Sequence, residues 1–142
     1  MKRYKIGYTQ GVYDMFHIGH LNLINRAKEH CDYLIGGVNA DELVESYKHK
    51  KPVICQEERA MIISNIKAVD QCVIVHTLDK VALMDKLGFN AIFIGDDWKG
   101  NPRWVQTEEN LSQYGVDVVY LPYTTGVSST MLREKKNQSF KE

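Results

Sequence analysis

The chain has 142 residues, a length typical of one domain with a layered α/β core. Its 18 basic and 18 acidic side chains give a formal net charge of zero, which argues against broad electrostatic binding to nucleic acid or to an anionic membrane. Three cysteines, odd in number and unclustered, favour a reducing cytoplasm over a disulfide framework. Because residues 1–5 lack the apolar core of a signal peptide and no stretch approaches transmembrane length, we expect a cytoplasmic protein.

Short apolar runs of strand length alternate with amphipathic segments along the chain. The predicted strands are Tyr4–Tyr8, Tyr33–Val38, Cys72–Val75, Ala91–Ile94 and Val116–Leu121. The predicted helices are Ile18–His30, Asp41–Tyr47, Glu57–Ala68, Asp79–Leu87, Glu108–Tyr114 and Ser128–Lys136. Such alternation predicts one α/β domain over residues 1–142, a Rossmann-like three-layer sandwich with a mostly parallel five-stranded sheet.

Two histidines begin the first predicted helix, in the motif His17-Ile18-Gly19-His20. A spacing of three places both imidazoles on one side of the first turn, where free N–H groups and the helix dipole favour anions. Gly19 leaves room for a ligand to approach the backbone. The motif therefore predicts a cradle for a triphosphate. Two alternatives are a chance pair on a surface helix and a zinc pair, which needs a third ligand that the other histidines and cysteines do not cluster to supply.

Three polar motifs follow predicted strands: the turn that carries His17 and His20, the loop Gly95–Gly100 and the segment Thr124–Thr130. Ligands of parallel sheets bind beyond the carboxyl ends of the strands, so these motifs predict a single site. The common glycine-rich phosphate loops and the serine nucleophile elbow are absent from the sequence. An imidazole pair, a basic loop over 48–52 and a Ser/Thr-rich helix start instead favour phosphoryl-type transfer, in which catalysis is mainly positioning and charge stabilisation.

At this point two segments show a family resemblance. Gly11–His20 and Gly126–Thr130 resemble, in order, the two signatures of the cytidylyltransferase family within the H-x-G-H nucleotidyltransferases. Asp32-Tyr33-Leu34 and Val69-Asp70 also match that family, and Gly95–Gly100 matches its members that act on glycerol 3-phosphate. The resemblance spans essentially Lys5 to Glu134.

The resemblance implies that CTP and an alcohol phosphate react to give a CDP-alcohol and pyrophosphate, with glycerol 3-phosphate as the expected acceptor and a teichoic-acid-like or capsular polymer as the expected destination. The implied catalytic residues are His17, His20, Lys48 and Ser129. The implied further nucleotide contacts are Val12, Tyr13, Lys50, Asp96, Thr124, Gly126, Val127, Ser128 and Thr130. The implied substrate contacts are Lys48, Arg59 and Trp98. Also implied are Mg²⁺ bound mainly through the CTP phosphates, no metal site of the protein itself, and a homodimer.

Simpler roles compete with several of these assignments. Lys48 and Lys50 can be a solvated basic loop, Arg59 can pair with a neighbouring glutamate, and Trp98 can be a packing residue. The hydroxyls of Ser128, Ser129 and Thr130 can serve as helix caps. Tyr123 and Lys67 stand where close members of the family have arginine, which puts the acceptor in question more than the reaction.

Three other functions remain open from the sequence. The first keeps the fold and changes the substrates, to another polyol or amino-alcohol phosphate or to ATP. The second is a nucleotide sensor that binds CTP without releasing pyrophosphate. The third is a metal-binding or structural module, which would require zinc to co-purify with the protein.

Overall fold

The computed structural model describes residues 3–122. Five strands are present: β1 (Tyr4–Gly11), β2 (Cys31–Asn39), β3 (Gln71–Val75), β4 (Ala91–Gly95) and β5 (Asp117–Leu121). Five helices connect them: α1 (Ile18–Glu29), α2 (Asp41–Lys48), α3 (Gln56–Ser64), α4 (Lys80–Leu87) and α5 (Pro102–Ser112), with a single 3₁₀ turn at Asp96–Trp98. The predicted helix Ser128–Lys136 lies outside the described residues.

The strands form one parallel sheet in the order β3-β2-β1-β4-β5. Alternate side chains of each strand enter two separate cores, as Leu34 and Ile35 do in β2. Ile24 of α1 joins the first core, and Leu83 of α4 joins the second. Burying each such side chain contributes roughly 1.5–3 kcal/mol. The predicted three-layer α/β architecture is confirmed, and the sheet is parallel throughout.

The strand order reverses at β1, because the chain moves outward to β2 and β3 and then returns to place β4 on the other side of β1. A crevice opens at such a switch point, beyond the carboxyl ends of the two strands whose connections diverge. The fold thereby brings the segments after β1 and β4 together.

Three predicted boundaries were wrong by three residues or more. Helix α5 begins at Pro102 and not at Glu108, because Asn101 caps it by accepting from the Arg103 N–H at 3.0 Å and proline suits the first helical turn. Helix α3 ends at Ser64 and not at Ala68. Strand β1 continues to Gly11, so Gln10 belongs to the sheet and not to a turn.

Candidate active site

The turn from β1 to α1 has an uncommon backbone conformation. Tyr13 and Met15 both adopt positive φ, of 54° and 50°, although neither is glycine. Each such residue costs on the order of 1 kcal/mol or more, so surrounding contacts must hold it. Asp14 supplies two of them, since its carboxylate accepts from the backbone N–H of Val53 at 2.8 Å and of Ile54 at 3.0 Å. The turn is thus fixed against the loop that precedes α3.

Arg59 of α3 also fixes this turn, through hydrogen bonds to backbone carbonyls. Its side chain has no exposed surface. It donates to the carbonyls of Val12 at 2.7 Å, Asn39 at 2.8 Å and Ile54 at 2.8 Å, and to the Asp41 carboxylate at 2.6 Å. The expected substrate contact of Arg59 is therefore wrong for this structure: the guanidinium is enclosed and holds the backbone that substrates would meet.

Tyr13 supports the histidines through its ring. The ring is buried, its hydroxyl lies 3.1 Å from the Thr9 hydroxyl, and burial raises the pKa of Tyr13 to about 12. Its edge faces the His20 ring at a centroid distance of 5.5 Å. Tyr13 therefore acts as a neutral, rigid support for His20.

The two histidines cap the helix that they begin. His17 is the N-cap of α1, and its Nδ1 accepts from the Gly19 N–H at 3.0 Å. The Nδ1 of His20 accepts from the His17 N–H at 3.3 Å, which completes a reciprocal capping box. The rings stack with centroids 3.9 Å apart. Because both Nδ1 atoms are acceptors, the network assigns the proton of each neutral imidazole to Nε2.

The environment keeps both rings neutral. Desolvation lowers the pKa of His17, and desolvation together with the neighbouring His17 ring lowers the pKa of His20 to about 4. Among the described residues, the buried Nε2 of His17 has no hydrogen-bond partner. The pair thus presents N–H donors that do not change charge near neutral pH.

A cleft of about 420 Å³ opens beside this pair, at the carboxyl ends of the strands. Six residues predicted for the site line it: Val12, Tyr13, His20, Lys48, Lys50 and Trp98. His17 is absent from the lining and stacks behind His20, while Asp97, and not the predicted Asp96, faces the cleft. The predicted contacts Thr124, Gly126, Val127, Ser128, Ser129 and Thr130 lie outside the described residues. We call the turn over 12–20 the histidine wall.

The opposite side combines cations with indole rings and is here called the lysine wall: Lys80, Trp98, Arg103 and Trp104. Lys80 donates to the Leu78 carbonyl at 2.9 Å, and its ammonium lies 5.3 Å from the centre of the buried Trp104 ring. The Arg103 guanidinium lies 5.9 Å from the ring centre of Trp98, which is 40% exposed. Desolvation, then the nearby Arg103, lowers the pKa of Lys80 to about 8.

Sequence reasoning assigned no role to Lys80. The available signal was its position: it follows β3 and the helix-capping Asp79, at the same sheet edge as the histidine motif. Gln10, Asn39 and Tyr47, which also line the cleft, were missed as well.

Within residues 3–122, no three metal-ligating side chains come together in a cluster that would hold a metal ion. Across that same range, no helix has the length and apolar character needed to cross a membrane.

Comparison with known families decides the chemistry. The family model described as cytidylyltransferase-like matches residues 8–135. The chain belongs to the cytidylyltransferase-like family. It is therefore a nucleotidyltransferase, as the H-x-G-H resemblance predicted.

Curated relatives agree with this membership. Glycerol-3-phosphate cytidylyltransferase of Bacillus spizizenii is 35% identical, with 89% of this chain and 92% of the relative covered. The enzyme of the same name from Staphylococcus aureus is 31% identical, with 89% and 91% covered. The bifunctional protein HldE of Geobacter metallireducens is 30% identical over 97% of this chain but only 28% of its own length.

Solved structures share the fold. The lipopolysaccharide core biosynthesis protein of Thermoplasma volcanium aligns with a TM-score of 0.71 at 22% identity, covering 85% of this chain and 97% of that protein. Pantothenate synthetase of Thermus thermophilus aligns with a TM-score of 0.61 at 15% identity, covering 94% of this chain and 66% of that protein. At these identities the likeness concerns the fold alone.

Proposed function

We propose that the protein transfers the CMP moiety of CTP to glycerol 3-phosphate, forming CDP-glycerol and pyrophosphate. The observation that supports this most strongly is the capped, stacked pair His17 and His20 at the start of α1: His20 lines a cleft rich in lysine, and the buried Nε2 of His17 has no hydrogen-bond partner within residues 3–122. An oxygen of the acceptor phosphate forms a bond to the α-phosphorus of CTP. The bond from the α-phosphorus to the bridging oxygen breaks, and its electron pair leaves with pyrophosphate.

On the histidine wall, neutral Nε2–H donors stabilise negative charge that grows on the phosphate oxygens and on the leaving pyrophosphate. Donors fixed before the reaction need no reorganisation, which is why such groups contribute strongly to phosphoryl-type transfer. The backbone of Val12 and Tyr13 lines the nucleotide, and Lys48 and Lys50 at the cleft bring positive charge to the phosphates. The roles of Ser129 and its neighbours as catalytic and nucleotide-binding residues stay predictions of the resemblance.

On the lysine wall, Lys80 and Arg103 provide the charge for the acceptor phosphate. The two cations are close enough for Arg103 to lower the pKa of Lys80, and a dianion between them relieves that repulsion. The match to glycerol-3-phosphate cytidylyltransferases over 89% of this chain supports this acceptor.

We also propose that Mg²⁺ binds together with CTP, mainly through the CTP phosphates. The carboxylates of the cleft fit this: Asp14 is occupied by two backbone N–H groups, and Asp97 is exposed and free to bind through the water of an ion. When bound, Mg²⁺ neutralises phosphate charge and keeps several waters as ligands. A homodimer and a cytoplasmic location stay predictions of the sequence.

Pyrophosphate release tests the proposal, with Mg²⁺ and each of CTP, ATP, UTP and GTP against a panel of acceptors. The panel contains glycerol 3-phosphate, glycerol 2-phosphate, ribitol 5-phosphate, phosphocholine and phosphoethanolamine. We expect turnover with CTP and glycerol 3-phosphate. Turnover confined to another acceptor or to ATP would overturn the substrate assignment, and CTP binding without pyrophosphate release would indicate a sensor.

A further inference from the structure

Four side chains form one chain of hydrogen bonds that runs from the core to the cleft. The Tyr8 hydroxyl donates to Gln10 Oε1 at 2.6 Å, and Gln10 Nε2 donates to Asn39 Oδ1 at 2.8 Å. Asn39 Nδ2 then donates to the Tyr47 hydroxyl oxygen at 3.1 Å. We call these four residues the relay. Tyr8 and Asn39 are buried, whereas Gln10, Asn39 and Tyr47 line the cleft.

The direction of the relay is fixed at its second member. Gln10 Nε2 also lies 3.3 Å from the backbone carbonyl of Thr77, which can only accept. A flipped Gln10 amide would place two oxygens against each other there. Since Gln10 Nε2 must donate, its Oε1 accepts from Tyr8 and its other proton goes to Asn39. The amide of Asn39 is then oriented as well, with Nδ2 toward Tyr47.

The buried end agrees with this direction. Tyr8 has no exposed surface, and burial raises the pKa of its hydroxyl, so the proton that it donates is retained. Gly37 makes the position possible, because a Cβ there would lie 2.8 Å from the Tyr8 ring carbon that bears the hydroxyl.

At the cleft end, the Tyr47 oxygen accepts from Asn39, and its own proton has no acceptor among the residues at 3–122. We propose that the Tyr47 hydroxyl donates to an alcohol oxygen of the acceptor, which makes Tyr47 a specificity residue for polyol phosphates. This inference rests on the proposed function and adds the group that recognises the alcohol part of the substrate.

Charge around the cleft separates a polyol phosphate from an amino-alcohol phosphate. Lysine and arginine side chains provide five cations along the lining, at Lys48, Lys50, Lys51, Lys80 and Arg103. The lining carboxylates are Asp14, already bonded to the loop before α3, and Asp97. An ammonium on the acceptor would be repelled, whereas a hydroxyl accepts the proton of Tyr47 without a charge penalty.

The test compares glycerol 3-phosphate with propyl phosphate, which lacks both alcohol oxygens, in wild type and in Tyr47→Phe. For Tyr47→Phe we expect kcat/KM for glycerol 3-phosphate to fall about 3- to 10-fold, the effect of one neutral hydrogen bond. We expect kcat/KM for propyl phosphate and KM for CTP to stay at wild-type values. Tyr114→Phe, an exposed tyrosine before β5 at the opposite sheet edge, is the matched control.

A second variant keeps the Tyr47 hydroxyl and reverses the last hydrogen bond of the relay. In Asn39→Asp both carboxylate oxygens accept, so the proton of Tyr47 turns inward. The added charge lowers activity with both acceptors, but the preference for glycerol 3-phosphate over propyl phosphate should fall as it does in Tyr47→Phe.

Equal losses with both acceptors, or an unchanged preference in either variant, would overturn the inference and leave the proposed function standing. If the wild type releases no pyrophosphate with CTP and any polyol phosphate, the proposed function fails, and the inference fails with it. The two failures are distinguishable because the second appears before any variant is made.

Discussion

The two walls of the cleft are constructed differently. The histidine wall is held by backbone groups: carbonyls at Val12 and Asn39 accept from Arg59, and N–H groups at Val53 and Ile54 donate to Asp14. The lysine wall consists of side chains from the starts of α4 and α5 and from the end of the 3₁₀ turn, which contact one another through charge and indole rings. Under the proposed function, the groups that stabilise the reacting phosphates are therefore held by the fold. The groups proposed to bind the acceptor are side chains, which we expect substitution to change at little cost to folding.

The largest effect is expected for Arg59→Ala. Loss of the guanidinium leaves three carbonyls and the Asp41 carboxylate without their partner in a buried site. We expect the free energy of unfolding to fall by about 3–5 kcal/mol, measured by urea denaturation. The matched variant on the lysine wall, Lys80→Met, should change it by less than about 1 kcal/mol. Similar losses in the two variants would remove the contrast between the walls.

The next effect concerns His17. His17→Ala should lower kcat on the order of 100-fold or more with any acceptor, by analogy with the loss of one preorganised donor. His17→Asn is the sharper variant, because asparagine keeps a side-chain oxygen that can cap α1 by accepting from the Gly19 N–H but has no imidazole donor.

Steady-state kinetics with unfolding curves separates these roles. Both His17 variants should lose activity alike, while His17→Ala alone should lose about 1 kcal/mol of stability from the missing cap. Wild-type turnover in His17→Asn would show that His17 acts only as a cap.

Lys80→Met tests the lysine wall directly. Kinetics should show kcat/KM for the acceptor falling about 10- to 100-fold, the range for a charged hydrogen bond, with KM for CTP nearly unchanged. Lys86→Met, an exposed lysine on the same helix, serves as the control. A rise in the KM for CTP as large as that for the acceptor would move Lys80 to the nucleotide.

The pH profile adds a check on the same residue. With a pKa of about 8, Lys80 loses its charge as the pH rises through that value, so kcat/KM for the acceptor should decline above pH 8. Lys80→Arg should extend the plateau to higher pH.

The smallest effect is the acid response of the histidine wall. His20 has a folded-state pKa of about 4 against about 6.5 in the unfolded chain. Its contribution to stability is complete above pH 6.5 and is lost as the pH falls toward 4, because the unfolded chain takes up the proton first. The free energy of unfolding, measured at several pH values from 7 to 4, should therefore fall less with decreasing pH in His20→Gln than in the wild type. Glutamine keeps a side-chain acceptor for the His17 N–H. The same pH dependence of the free energy of unfolding in wild type and His20→Gln would contradict the lowered pKa of His20.

The fold was predictable because apolar periodicity determined every strand and helix of residues 3–122. The start of α5 was missed because the apolar pattern before Glu108 is weak. The capping residue Asn101 and the following Pro102 are a local start signal that periodicity does not detect. Periodicity also gave no warning that α3 stops at Ser64.

The candidate site was predictable where a motif is contiguous, as at His17 and His20. Arg59 was assigned to the substrate because sequence shows a charge but not its burial. Lys80 and Tyr47 were missed because they join the cleft only through the strand order, which brings the ends of β1, β2 and β3 side by side.

The most direct measurement follows oxygen and phosphorus through one reaction. The protein is incubated with CTP, Mg²⁺ and glycerol 3-phosphate that carries ¹⁸O in its phosphate. Mass spectrometry then measures the ¹⁸O content of each product. Direct attack on the α-phosphorus predicts one pyrophosphate for each CDP-glycerol, with all of the label in CDP-glycerol and none in pyrophosphate. Label in pyrophosphate, or CMP formed in place of CDP-glycerol, would contradict it.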